Sequence, residues 1–224
     1  MFKHYLVIMP VVSTVCTLAA ATGSESPAYR PLLKHCAKIN NSELCAQAIE
    51  KSYGGRSESR LFRRLGATLE VITPRRTFRL RNNENPDGDV SYHYLAYLAQ
   101  HGIHVVHMQY SEGNDFAVIG DQDDERHVVS GFPITSPDGR RFFSYNVAGE
   151  TQFTPDAFEV WRIEGGVLKK EFSTSPEFAS CQIHTARWVS NNAISLVGKP
   201  IEEPLTKVNC RFRFSLVAGR WLEQ

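Results

Sequence analysis

No reactive constellation at a recognised spacing occurs in the 224 residues. A G-x-S-x-G elbow, an H-E-x-x-H pair, a P-loop and a G-x-G-x-x-G turn are all missing. Nucleophilic, zinc-hydrolytic and nucleotide chemistries therefore lack their usual marks. An excess of charge is missing too: 25 Lys and Arg stand against 24 Asp and Glu, a formal net charge of +1. Removing residues 1–21 would take away Lys3 alone and leave 24 against 24. A chain so balanced exerts no long-range pull on nucleic acid or anionic lipid, and no nucleic-acid partner is expected. The C-x-x-C spacing of redox pairs and zinc knuckles is absent, and no cofactor or metal is expected. After residue 58 no helical pattern is long enough to carry a crossover between parallel strands, which disfavours a parallel sheet.

What is present begins at the amino terminus. Lys3 precedes an uncharged stretch from Leu6 to Ala20, and Ala19-Ala20-Ala21 supplies a small-x-small cleavage site. These are the three regions of a secretory signal peptide. The apolar run of about 15 residues is shorter than the ~20 of a spanning helix, and Pro10 interrupts it. No other run approaches that length, so no transmembrane segment is expected in the mature chain. Val15 before Cys16 is not the small residue that lipidation requires. The expected organisation is a signal peptide over 1–21, a lead-in with a short helix over 22–57, and a β domain over 58–224. Hydrophobic residues at 42% and charged residues at 22% suit one folded domain.

With Cys16 gone, Cys36, Cys45, Cys181 and Cys210 remain. An even count in an exported chain points to disulfides, and four cysteines allow three pairings. Cys36 with Cys45 and Cys181 with Cys210 is the expected set, since each pair lies within one local segment. Residues 41–50 are expected to form a short helix, with Asn41 or Ser42 as its cap and Leu44, Ala48 and Ile49 as its apolar face. Gly54-Gly55 would end it.

Beyond residue 58 the chain alternates β-branched and aromatic runs with tight turns. Predicted strands include 69–73, 77–80, 103–110, 116–119, 142–145, 158–163, 167–172, 193–197 and 210–217. Turn residues fall between them at ~8–12-residue spacing, the pattern of an antiparallel meander. The fold class expected is all-β, with a disulfide-stapled N-terminal helix. Ser136-Pro137-Asp138-Gly139-Arg140-Arg141-Phe142 resembles the repeat signature of TolB-like and WD40-like β-propellers. The resemblance covers one clear copy over about residues 128–172, with a weaker echo at 186–194. It implies meander sheets with an aromatic packed between neighbours. About 165 residues provide four sheets at most, so an incomplete propeller is expected. A β-sandwich is the alternative.

His101, His104 and His107 recur every third residue, but on a strand His104 and His107 point to opposite faces and cannot share a metal. Asn83 to Asp89 resembles the opening of a calcium loop, yet Tyr94 stands at the twelfth position, where a bidentate acid belongs. Asp121, Asp123, Asp124 and Glu125 read as a solvated acidic tip. Glu112, Asp115, Glu150 and Asp156 are carboxylates that a cleft could bring together. Tyr92, Tyr94, Tyr97, Tyr110 and Trp161 are the candidate binding residues, because such rings combine contact area with a polar tip. In a regular strand Tyr92 and Tyr94 share one face and Tyr97 takes the other. Packing between sheets is the alternative role for these rings. Taken together, the residues imply a periplasmic or secreted, non-catalytic binding protein of the bacterial envelope, with another envelope or secreted protein as partner. An inhibitory or neutralising role is one version. An exported hydrolase with a loop-built site and a structural part of an envelope assembly are the alternatives.

Overall fold

A computed structural model describes residues 36, 38–39, 41–54, 60–83, 89–111, 113–145, 158–174, 181–200 and 210–224. The expected signal peptide, the 22–35 lead-in, most of the 83–89 loop, Gly55, Glu112, Glu150 and Asp156 lie outside the described residues. Among the described residues one helix, α1 (Ser42–Ser52), precedes fifteen strands. Asn41 caps it, its side chain accepting from the Leu44 N–H at 2.8 Å. Its buried face is Ala46 and Ile49; Leu44, expected inside, is 54% exposed. No helix among the described residues is long and apolar enough to cross a membrane.

The strands form four antiparallel meanders, each consecutive in the chain. Sheet A holds β1 (Phe62–Leu65), β2 (Thr68–Ile72) and β3 (Thr77–Arg81). Sheet B holds β4 (Val90–Leu98), β5 (Ile103–Tyr110), β6 (Gly113–Gly120) and β7 (His127–Val129). Sheet C holds β8 (Ile134–Thr135), β9 (Arg141–Tyr145), β10 (Phe158–Glu164) and β11 (Val167–Thr174). Sheet D holds β12 (Cys181–Ser190), β13 (Ala193–Pro200), β14 (Arg211–Val217) and β15 (Arg220–Glu223). Four sheets stand where a sandwich would have two, which sets that alternative aside.

Each hydrophobic cluster joins one sheet to the next along the chain. Leu69, Val71, Phe78 and Leu80 of sheet A meet Tyr92, Tyr94, Val106 and Ile119 of sheet B. The opposite face of sheet B, with Leu95, Val105 and Val118, packs with Ala46 and Ile49 of α1 on Phe142, Trp161 and Leu168 of sheet C. Phe143, Phe158 and Val160 of sheet C then meet Ile194, Leu196 and Phe214 of sheet D. Sequence pattern follows position in this stack. β3 alternates buried and exposed residues because sheet A has one solvated face, whereas β5 and β6 are buried along most of their length because sheet B is covered on both. Both disulfides pair locally, Cys36–Cys45 beside α1 and Cys181–Cys210 within the last sheet.

The Ser136–Phe142 segment forms the β8–β9 turn. The Ser136 hydroxyl donates to Asp138 at 2.6 Å, and Asp138 also accepts from the Arg140 N–H. Gly139 takes φ +68°, and a Cβ there would stand 2.5 Å from the His101 ring, so this position needs glycine for shape and for space. Phe142 beyond the turn is fully buried between sheets B and C, its ring parallel to Trp161 at 6.0 Å.

Candidate functional site

The expected binding rings lie inside the protein. Tyr94 is fully buried, Tyr92 and Trp161 nearly so, and Tyr97 and Tyr110 are half-buried against the core between sheets A and B. A bulge changes the expected facing of Tyr97. Tyr94 pairs with Val106 and Ala96 with Val105, which leaves Leu95 as the extra residue. Tyr97 is thereby returned to the face of Tyr92 and Tyr94. The backbone freed around the bulge is used by other elements: Tyr53 donates its hydroxyl to the Leu95 carbonyl at 2.7 Å, and Glu50 accepts from the Tyr94 N–H at 2.7 Å. Trp161 donates its Nε1 to Glu159, and Lys170 lies 5.2 Å above its ring.

His104 and His107 do point to opposite faces. His104 bridges Tyr94 and Asp121, with Nδ1 2.9 Å from the Tyr94 hydroxyl and Nε2 3.1 Å from Asp121 Oδ1. Tyr97 donates to the other Asp121 oxygen at 2.6 Å. This carboxylate–imidazole–hydroxyl order is that of a proton relay, but Tyr94 and His104 are both fully buried and no substrate can reach them. Burial, with Asp121 adding to it, pushes the Tyr97 phenol up to about 12, which keeps it a donor. His107 faces α1 and Phe116 instead; burial draws its imidazole down to about 4. No group of three or more His, Cys, Asp or Glu among the described residues is arranged to hold a metal.

The acidic segment after β6 is a solvated tip only in part: Asp124 and Glu125 are exposed, but the segment is tied down at Asp121, Asp123 and Asp124. Asp123 is buried, accepts from the Leu168 N–H of sheet C at 3.0 Å and lies 2.9 Å from His127 Nε2. Asp124 forms a two-pronged pair with Arg75 of sheet A, which holds its carboxyl below the usual range. The Asp124 carbonyl accepts from Arg76. One turn therefore ties sheet B to both neighbours. Of the four carboxylates that a cleft would need, Asp115 is buried within β6, and the other three lie outside the described residues.

Surface chemistry concentrates elsewhere, on sheet A. Residues 60–83 contain seven arginines and a single acid, Glu70. Glu70, at the centre of the outer face, is gripped across the strands by Arg79 and Arg63, which hold its carboxyl low. A groove of about 590 Å³ runs along β3 toward the β6–β7 turn. Its walls carry Arg76, Arg79, Arg81 and Arg126 against Asp124 and Glu125, with Phe78, Leu80 and Tyr92 as the apolar part. Arg126 lies over the Tyr92 ring and donates to its hydroxyl at 3.1 Å. Arg81 is exposed and makes no ion pair among the described residues. Of the five expected binding rings only Tyr92 borders this groove. The overall charge balance hid it; the run of arginines over 60–83 is the signal that would have revealed it.

No family model matches the chain, and no curated protein sequence matches it. Among solved structures, the crystal structure of the N-terminal domain of Nup159 aligns at 13% identity and a TM-score of 0.32. The alignment covers 73% of this chain and 46% of that one, so the chain spans about half of that structure's length. A likeness of that order carries no argument about fold or function.

Proposed function

We propose that the chain is an exported, non-catalytic binding protein of the bacterial envelope, with the arginine-lined groove beside β3 as its recognition surface. The observation that carries this reading is the groove itself: four arginines against Asp124 and Glu125, over the edges of the buried Phe78, Leu80 and Tyr92, at a sheet margin of an otherwise charge-balanced protein. Arginine is enriched at interaction surfaces relative to the rest of a protein's exterior. Two disulfides suit an oxidising compartment. In the same reading the four consecutive meanders are blades of an incomplete propeller, a rigid support that hosts many unrelated functions.

Capture experiments with the mature protein from envelope extract test the groove. Wild type is expected to retain a stoichiometric partner, Arg81→Glu to lose it, and Arg211→Glu/Arg213→Glu, exposed on sheet D and outside the groove lining, to keep it. Equal capture by Arg81→Glu and wild type would remove the groove from the function. Turnover of glycan, ester or peptide panels by the pure protein would overturn the non-catalytic reading.

A further inference from the structure

Resting on the groove as the recognition surface, we propose that its ligand is an extended acidic segment of a partner protein, which adds to β3 as a fourth strand of sheet A. Among the described residues, sheets B, C and D each have four strands and sheet A has three, with β3 at its margin. The phase of the β2–β3 ladder shows which backbone groups are open. Thr73 donates to the Arg76 carbonyl at 3.0 Å and Asn82 to the Ala67 carbonyl at 2.8 Å. Hydrogen-bonded and non-hydrogen-bonded pairs alternate in an antiparallel ladder, so Phe78 and Leu80 face β2 in their backbone groups while Thr77, Arg79 and Arg81 face away. Asn83, next in that series, confirms the phase: its N–H and C=O are both directed away from β2 and bond Val90 at 2.9 Å. Between Thr77 and Arg81 no described residue takes the corresponding groups.

The margin of sheet B is treated differently. Along β4 the Tyr92 carbonyl accepts from Arg64, the Tyr94 N–H donates to Glu50, and the Leu95 carbonyl accepts from Tyr53. There α1 and β1 cover the edge, whereas β3 keeps its outward row beside a groove wide enough to be lined on both sides.

The side chains define the strand that fits. Arg79 and Arg81 project from the solvated face of β3, where a neighbouring strand places every second residue beside them. Acidic residues at those positions meet the guanidinium groups. The alternate residues turn toward Phe78, Leu80 and Tyr92 and are best apolar. Two copies of β3 laid edge to edge would bring arginine against arginine, which disfavours self-pairing while admitting an acidic strand. Backbone bonds provide the grip and alternate side chains the selection, as in strand addition generally.

The test uses the full chain and an end-blocked octapeptide of alternating Glu and Val, followed by fluorescence anisotropy and amide hydrogen exchange. Binding is expected, with new protection at the Thr77, Arg79 and Arg81 amides. Methylating the peptide nitrogens on its bonding edge is expected to weaken binding by at least about tenfold, and Arg81→Glu by a similar factor. Several outcomes would overturn the proposal: no binding, binding indifferent to N-methylation, or equal displacement by heparin or single-stranded DNA. So would slow exchange of those three amides in the free monomer, which would mean the chain covers its own edge, or a dimer that Arg81→Glu separates. If N-methylation has no effect while Arg81→Glu still abolishes partner capture, strand addition fails and the groove stands. If Arg81→Glu changes neither, both fail.

Discussion

Asp121, Asp123 and Asp124 are neighbours in a segment whose composition reads as a solvated loop, yet each is committed to a different partner. Tyr97 and His104 take the first, Leu168 and His127 the second, Arg75 the third. Composition cannot show this, because the partners come from three different sheets. His107 illustrates the opposite case. Its inward facing follows from strand alternation, which the residues Ile103 to Tyr110 display plainly, but the depth of its burial does not. Burial lowers its pKa from 6.5 to about 4, helped by nearby His93 and opposed by Glu43. The unfolded chain therefore binds a proton that the native state refuses between those two values. Stability is full above about pH 6.5 and is lost as pH falls toward 4, by about 3 kcal/mol for a shift of this size. His93, also drawn down by burial, adds in the same direction. Denaturant midpoints at pH 7.5 and pH 5 are expected to differ in the wild type and to converge in His107→Phe; an unchanged difference in that variant would exonerate the imidazole.

Strands announced themselves where one face is wet or where β-branched runs are unbroken. The spans at β3, β5, β10 and β14 match the alternation and the turn residues nearly to the residue. β7 and β8 are too short, at three and two residues, to leave a pattern. The bulge at Leu95 left none either; the groups bonded to its backbone, Glu50 of α1 and Tyr53 just past it, lie 44 and 42 residues away in the chain. The outward Leu44 was hidden in the same way: the helix rolls to bring Ala46 and Ile49 onto sheets B and C. Local disulfides were readable because spacing limits pairing. Closing 29 residues restricts the unfolded chain more than closing 9, and the chain-entropy relation assigns about 4 and about 3 kcal/mol respectively. Replacing Cys181 and Cys210 by Ala should consequently lower the melting temperature further than replacing Cys36 and Cys45. A reversed order would place more of the stability beside α1 than loop closure allows.

The all-β class and the meander connectivity were open to reading because tight turns join sequence neighbours. How the sheets stack was not, since it depends on which face of each strand meets which neighbour, and whole-chain neutrality concealed the basic character of sheet A. Every cluster joins sheets adjacent in the chain, and none among the described residues joins sheet A to sheet D. A chain ending at residue 174 would thus leave Phe143, Phe158 and Val160 uncovered. Such a fragment is expected to bind a hydrophobic dye and aggregate; a monomeric, dye-silent fragment would show that sheet C closes without its neighbour. Stacking that, among the described residues, joins only chain neighbours also has a mechanical side. A ring must break a joint before any part of it can open, whereas a row can shed its last member and keep the remainder intact. Tension drawn through the carboxyl terminus would peel sheet D from Trp188 and Trp221 inward, and the Cys181–Cys210 bond would cap how far the peeled piece can lengthen.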